Sequence, residues 1–240
     1  MKIFILGHEG MLGHMVFKYL STKEDCELIT TDLRWPSEEF KKKVLDFNGD
    51  FVVNCIGAIH QKTDNFDVNV KLPIWLDINM SCNIIHPGTD YEKDNCGYGS
   101  SKRKSSQYIV KSGSVTKIIK TSIIGPEINS NFCTLEWFLN SKESVDGWIN
   151  NYWNGNTTLQ WAKESYKMMK KWDDYDVCTK ITSECISKYE LLNVIKNVFN
   201  KEIDINKFDD EKVNRCLDSD IITPTIMNQL KELKEFYYDN

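Results

Sequence analysis

Apolar residues along this chain fall in short runs separated by amphipathic stretches. Residues 2–6, 28–31, 51–56, 83–86 and 116–124 are rich in Ile and Val and too short for helices. Continuous apolar runs of this length predict parallel strands covered on both faces. Between them, Leu12, Val16 and Leu20 recur every four residues, and Phe40, Val44 and Leu45 suit another helical face. Strand and helix alternate, so the first half predicts βαβ units around a parallel sheet. The second half changes character. Trp137, Trp148, Trp153 and Trp161 crowd residues 134–172, which carry a helical pattern. Residues 177–182 predict one more strand. Residues 187–199 predict a helix with Leu191, Leu192, Ile195 and Val198 on its apolar side, and residues 230–236 a last short one. The shift in pattern near residue 130 is the expected boundary between two parts. There is no internal repeat.

The strongest local motif is Gly7-His8-Glu9-Gly10-Met11-Leu12-Gly13, after the first strand and before the first helix. Glycines at this spacing allow a tight turn, close approach of the backbone to a pyrophosphate, and packing of helix on sheet. The helix N-terminus then offers N–H groups and partial positive charge to phosphates. A plain strand-to-helix turn is the alternative. Together with the alternation, the motif predicts an α/β fold: a Rossmann-type doubly wound parallel sheet with a smaller, mostly helical C-terminal substrate lobe. The expected division is a dinucleotide-binding domain over 1–130 and a substrate-binding lobe over 131–240, with 177–182 returning to the main sheet. Asp32 lies nineteen residues beyond Gly13, where a carboxylate accepts from the ribose hydroxyls of NAD. Arg34 would pair with the 2′-phosphate of NADP, so NAD and NADP both stay open. The third strand ends in Asn54-Cys55-Ile56-Gly57, where small residues let the chain pass near the adenosine.

Tyr98 and Lys102 are four apart, one turn along a helix face. A lysine ammonium beside a phenol favours phenolate and lowers its pKa, which would bring proton exchange toward neutral pH. Tyr19/Lys23 and Tyr166/Lys170 share the spacing. For those two a surface helix contact is the expectation, and the position of Tyr98 after the fourth strand sets it apart.

These residues together resemble the extended short-chain dehydrogenase/reductase superfamily, and within it the dTDP-4-dehydrorhamnose reductase family, over nearly the whole chain. Gly7 to Gly13 with Met11 and Leu12 is similar to the family's first loop, and residues 53–59 to its third strand. Asn69, Pro73 and Leu76 resemble its next helix. His86-Pro87-Gly88-Thr89-Asp90 looks like a fourth strand that ends Ser-Thr-Asp in the family, with Gly88 in place of Ser. Residues 98–102 match a Tyr-Gly-x-Ser-Lys element. Residues 120–125, 153–159 and 186–192 are also similar. Eight residues separate Thr89 from Tyr98, fewer than the family carries. The resemblance implies a catalytic set of Thr89, Tyr98 and Lys102. Thr89 would bond the ketone, Tyr98 donate the proton, and Lys102 tune Tyr98 and hold ribose. With the glycine loop and the ends of the second and third strands, it points to cofactor contacts from Gly7, Gly10, Met11, Leu12, Gly13, Asp32, Arg34, Cys55, Ile56, Gly57, Asn69, Tyr98 and Lys102. The tryptophans near 137 to 161 read as core, with Trp153, beside Asn154 and Gly155, the one candidate substrate contact. The implied activity is NAD(P)H-dependent reduction of a 4-keto-6-deoxy sugar nucleotide. The alternatives are a regulatory or sugar-nucleotide-binding module without turnover, which the short loop favours, and a sugar-nucleotide epimerase or dehydratase.

Composition narrows the classes further. The 240 residues carry a net charge of -5, against a nucleic-acid partner, which would need clustered basic excess. The run Lys102-Arg103-Lys104 is short and reads as a solvated helix face. No apolar stretch approaches the roughly 18 residues of a membrane span, and no leader pattern opens the chain, so a cytoplasmic location is expected. The eight cysteines have neither CxxC pairing nor metal-ligand spacing, so reduced thiols and no metal are expected. His8, His14, His60 and His86 are scattered and are not expected to act as catalytic bases. The expected partner is a small-molecule sugar nucleotide, with a homodimer left open.

Overall fold

The structure is a computed structural model that describes residues 1–113, 115–128 and 130–239. The first stretch of chain runs β1 (Lys2–Leu6), α1 (Met11–Leu20), β2 (Glu27–Ile29), α2 (Glu38–Leu45), β3 (Phe51–Asn54), α3 (Asp67–Asn79), β4 (Asn83–Gly88), α4 (Gly97–Ser112) and β5 (Thr116–Lys120). It continues through β6 (Ile123–Ile124), α5 (Thr134–Asn140), β7 (Val145–Trp148), β8 (Asn151–Trp153), β9 (Asn156–Thr157), α6 (Thr158–Lys170) and β10 (Cys178–Thr182). It ends with β11 (Ile186–Ser187), α7 (Lys188–Phe199), β12 (Ile205–Phe208), β13 (Val213–Asn214), β14 (Ile221–Ile222) and α8 (Ile226–Tyr237).

The main sheet is parallel, with strand order β14-β10-β5-β4-β3-β1-β2 and helices between its strands. The α/β, Rossmann-like class expected from the apolar runs is the one observed. The order reverses between β1 and β3. In open parallel sheets that reversal leaves a crevice at the carboxyl ends of the strands, where ligands bind. Gly7 follows β1 and Cys55 follows β3 there. The core on one face joins Phe4, Leu6, Val52 and Ile84 of the sheet to Phe40 and Val44 of α2 and Leu72 and Leu76 of α3. α1 forms because Leu12, Val16 and Leu20 stack at four-residue spacing, and all three are buried.

Two compact units are present. One comprises residues 1–120 and 162–179, the other residues 121–161 and 180–240. The expected cut at 130 lies inside the second unit. That unit is not mostly helical. Residues 134–172, expected to be helical, contain β7, β8 and β9 between α5 and α6. β7 pairs with β12, and β8 with both β11 and β13. These partners lie far along the chain, beyond any local periodicity.

Other boundaries shift for local reasons. The run 116–124 breaks at Thr121 and Ser122, where the Asn156 side chain donates to Thr121 Oγ1 at 2.9 Å and the Asn156 N–H to the Ser122 carbonyl at 2.9 Å. Beyond the break, β6 pairs with β9. β2 stops at Ile29 because it lies at the sheet edge and β1 supplies partners only for Glu27 to Ile29. α8 begins at Ile226, earlier than expected, because the Thr225 hydroxyl accepts from the Asn228 N–H.

One expectation about the cysteines is overturned. Cys185 and Cys216 form a disulfide. Thirty-one positions apart, they carry no pairing signal in the sequence. β11 begins just after Cys185, β13 ends just before Cys216, and both strands flank β8, which brings the two Cα atoms to 6.0 Å. Among the described residues, no helix is long and apolar enough to cross a membrane.

Candidate active site

The glycine loop begins at Gly7, whose φ of +78° is a left-handed conformation that favours glycine. A Cβ there would stand 2.9 Å from Ile56 Cγ1, so the loop runs directly against the segment after β3. Gly13 is tighter still, because a Cβ there would collide with the Gly7 carbonyl oxygen. Gly10 differs. Its φ is -79°, and a Cβ would meet only Gly7 O at 3.3 Å. Gly10 is the N-cap of α1 and no side chain caps that helix. The first turn, starting at Met11 and Leu12, therefore presents backbone N–H groups without a side-chain partner, which suits a phosphate. On this ground the loop fits a dinucleotide pyrophosphate.

Asp32 Oδ1 lies 3.6 Å from His8 Nε2, and a Glu9 carboxylate oxygen joins them within 4.8 Å. Arg34 is exposed, as is Asp32. Cys55, Ile56 and Gly57 line the turn after β3. Asn69 was expected to contact cofactor, but its amide is otherwise engaged. Its Oδ1 accepts from the Ala58 N–H at 2.8 Å, and its Nδ2 donates to Ala58 O at 2.9 Å and Ser101 Oγ at 3.2 Å. Asn69 therefore braces the post-β3 turn against α4.

Thr89 and Tyr98 come together despite the short connection. The Thr89 hydroxyl, which donates to Asp90 Oδ1 at 3.0 Å, is near enough to the Tyr98 phenol to act on its acidity. The eight intervening residues are taken up by a tight 3-10 turn over Asp90–Lys93, which Thr89 caps by accepting from the Tyr91 N–H at 3.3 Å. Gly99 permits this packing, because a Cβ there would collide with the Tyr91 carbonyl oxygen. The Tyr98 ring lies among His60, Phe66 and Tyr91, with centroids 5.7 to 6.1 Å away.

Burial in that aromatic setting pushes the Tyr98 phenol up to about 12. The Thr89 hydroxyl pulls the other way, and Asp90, Tyr91 and Glu92 push it further up. This reverses the lowering expected from Lys102. The reason is where the lysine goes. Lys102 is buried, and its Nζ donates to Pro87 O at 2.6 Å and lies 3.4 Å from His86 Nε2. Burial also pulls Lys102 down to about 8, against the charge of Glu92. Helical spacing placed the two residues on one face, but the long lysine side chain turns into the sheet.

Glu92 was not singled out in the sequence. Its Oε1 accepts from the Thr89 N–H at 3.3 Å and from Ser106 Oγ at 2.9 Å, while Oε2 pairs with Lys120 Nζ at 2.6 Å. Thr89 and Glu92 form a reciprocal capping box, and Thr-x-x-Glu spacing is the signal that would have found it. Trp153 is only 7% exposed, and a Cβ on Gly155 would strike its ring. It is packed within the second unit and offers no open platform for a sugar.

Neither a family model nor a curated protein sequence matches the chain. Solved structures do. A dTDP-4-dehydrorhamnose reductase from Clostridium acetobutylicum ATCC 824 superposes with a TM-score of 0.78 at 19% identity, over 98% of this chain and 99% of that one. The dTDP-4-dehydrorhamnose reductase from Bacillus anthracis str. Ames, solved in complex with NADP, gives 0.78 at 13% identity, over 100% and 99%. The chain has the dTDP-4-dehydrorhamnose reductase fold. A dTDP-glucose 4,6-dehydratase from the same Bacillus anthracis strain, in complex with NAD, is also similar, with a TM-score of 0.75 at 14% identity over 100% and 97%. At these identities the likeness is one of fold.

Proposed function

We propose that this chain is an NAD(P)H-dependent reductase of a 4-keto-6-deoxy sugar nucleotide. The observation that carries the reading is the neighbouring Thr89–Tyr98 pair, in the same compact unit as an uncapped glycine loop. The likeness to sugar-nucleotide reductases supports the substrate class. The nicotinamide, when bound, supplies the hydride. The chain's own residues do the rest. The α1 N-terminus holds the pyrophosphate, and Asp32 binds the adenine ribose. Thr89 bonds the ketone oxygen, and Tyr98 delivers a proton to it. The test is consumption of NADH or NADPH with a dTDP-linked 4-keto-6-deoxy sugar. Tight cofactor binding without any consumption would replace this reading with a second one, a nucleotide-binding module. That second reading is favoured by the ring-packed Tyr98 phenol, held at about 12.

Two binding predictions follow from the loop. Gly10→Val should still fold, because the position has ordinary φ and a Cβ meets only Gly7 O, at 3.3 Å, which has to give by a few tenths of an ångström. Its branched side chain would stand where the pyrophosphate must approach the backbone. We expect cofactor affinity to fall by at least about tenfold, or ~1.4 kcal/mol, with an unchanged melting temperature. Unaltered affinity in the folded variant would remove the loop from the site.

The second concerns cofactor choice. Glu9 and Asp32 lie together near the expected ribose position, so a 2′-phosphate would meet two carboxylates. NADH should bind about tenfold more tightly than NADPH, and Asp32→Asn should narrow the gap. Direct titration with both cofactors reads this, and equal affinities would show that Asp32 does not face the ribose.

A further inference from the structure

Three buried polar side chains form a chain through the sheet, and the proposed reaction leaves two of them, Asn54 and His86, unused. Asn54 ends β3, His86 lies on β4 and Lys102 on α4, and none is more than 6% exposed. Asn54 Oδ1 accepts from the Ile56 N–H at 3.1 Å, which fixes the amide orientation. Its Nδ2 therefore faces His86 Nδ1, at 3.1 Å. An amide NH2 only donates, so Nδ1 must accept, and the single proton of the neutral imidazole sits on Nε2. Nε2 in turn lies 3.4 Å from Lys102 Nζ. An imidazole N–H directed at an ammonium finds no acceptor and two donors collide. Directed at a neutral amine, it meets a lone pair.

We infer that Asn54 and His86 are positioning residues that favour the neutral amine of Lys102 over its ammonium in the cofactor-free protein. Lys102 Nζ keeps a donor for Pro87 O at 2.6 Å in that state, so every polar atom of the chain is matched. The groups that face the amine agree with the assignment. Burial holds His86 well below its usual range, which keeps the imidazole neutral. The Cys55 thiol, beyond the end of β3, is pushed up by burial and so adds no negative charge at neutral pH. Glu92, from the turn before α4, is the charge that favours the ammonium, and burial outweighs it. The preference for the neutral amine stands on this geometry. Its consequence, that turnover changes as Lys102 titrates near pH 8, rests on the reductase reading.

The experiment is nuclear magnetic resonance of the whole protein without cofactor or substrate. Long-range 15N–1H correlation reads the His86 tautomer, and lysine labelled with 13C at Cε, assigned with Lys102→Met, reads the amine. The proton should be on Nε2, and the Lys102 midpoint should fall at about 8. Asn54→Asp preserves the acceptor for Ile56 and makes the other atom an acceptor. It should move the proton to Nδ1, leave Nε2 to accept from an ammonium, and raise the Lys102 midpoint. A wild-type proton on Nδ1, or a wild-type midpoint at the ordinary lysine value of about 10.4, would overturn the inference. The wild-type tautomer decides it even if Asn54→Asp does not fold. Neither measurement needs turnover, so failure of the reductase reading would leave the result intact.

Discussion

Tyr98→Phe is expected to lower turnover by roughly 10²- to 10⁴-fold, the usual contribution of a positioned proton donor. That loss corresponds to about 2.7 to 5.5 kcal/mol of barrier. Cofactor affinity should hardly change, because the variant keeps the ring that packs against Phe66 and Tyr91. The sign of the pH dependence follows from the phenol. An acid whose pKa is pushed up to about 12 remains protonated throughout the neutral range, so the donor is loaded there. Loss of the phenolic proton should not limit the wild-type rate until the pH approaches that value. Steady-state kinetics on wild type and variant give both answers. Thr89→Val removes the hydroxyl proposed to bond the ketone and should cost less, about 1 to 3 kcal/mol. A Tyr98→Phe protein within a few-fold of wild-type turnover would remove Tyr98 as proton donor.

The second large effect is on stability. Glu92 is 7% exposed and meets Lys120, Ser106 and the Thr89 N–H at once. Glu92→Ala leaves the Lys120 ammonium, with a side chain only 20% exposed, without its partner. Breaking one half of a buried pair costs about 3 to 5 kcal/mol, since the remaining charge stays desolvated. Denaturant unfolding should show that loss as a lower midpoint at nearly constant slope. A cycle with Lys120→Met separates the pair from the rest, because the double variant should recover part of the loss. A destabilisation under about 1 kcal/mol would show that solvent reaches the pair. Thr89 should also lose its fixed orientation in Glu92→Ala, linking the stability of this turn to the proposed chemistry.

How much of this was legible beforehand differs between fold and site. The parallel sheet could be read because its strands are buried on both faces and so carry unbroken Ile and Val runs. The glycine loop could be read because Gly7, Gly10 and Gly13 fall between the first run and the first helical repeat. Its details needed the structure. Only the structure shows that Gly13 is required by contact with Gly7 and that Gly10 is the less crowded of the two. The second unit could not be read as easily. β7, β8 and β9 are two to four residues long, and most of their partners lie far along the chain. Such strands are selected by their partners and not by their own periodicity.

The sequence by itself determined the α/β alternation, the place of the glycine loop and the presence of Thr89, Tyr98 and Lys102 around one strand end. Each of these is a local property, set by residue type and spacing over fewer than about twenty positions. The tertiary structure decided the rest. It brought Thr89 to Tyr98 through a turn that Gly99 allows, and it turned Lys102 away toward Pro87 and His86. It committed the Asn69 amide to Ala58 and Ser101, and it paired Cys185 with Cys216. Whether a side chain reaches a neighbour depends on which distant segments pack around it. Burial then shifts the acid–base character of Tyr98 and Lys102 in directions that their four-residue spacing does not encode.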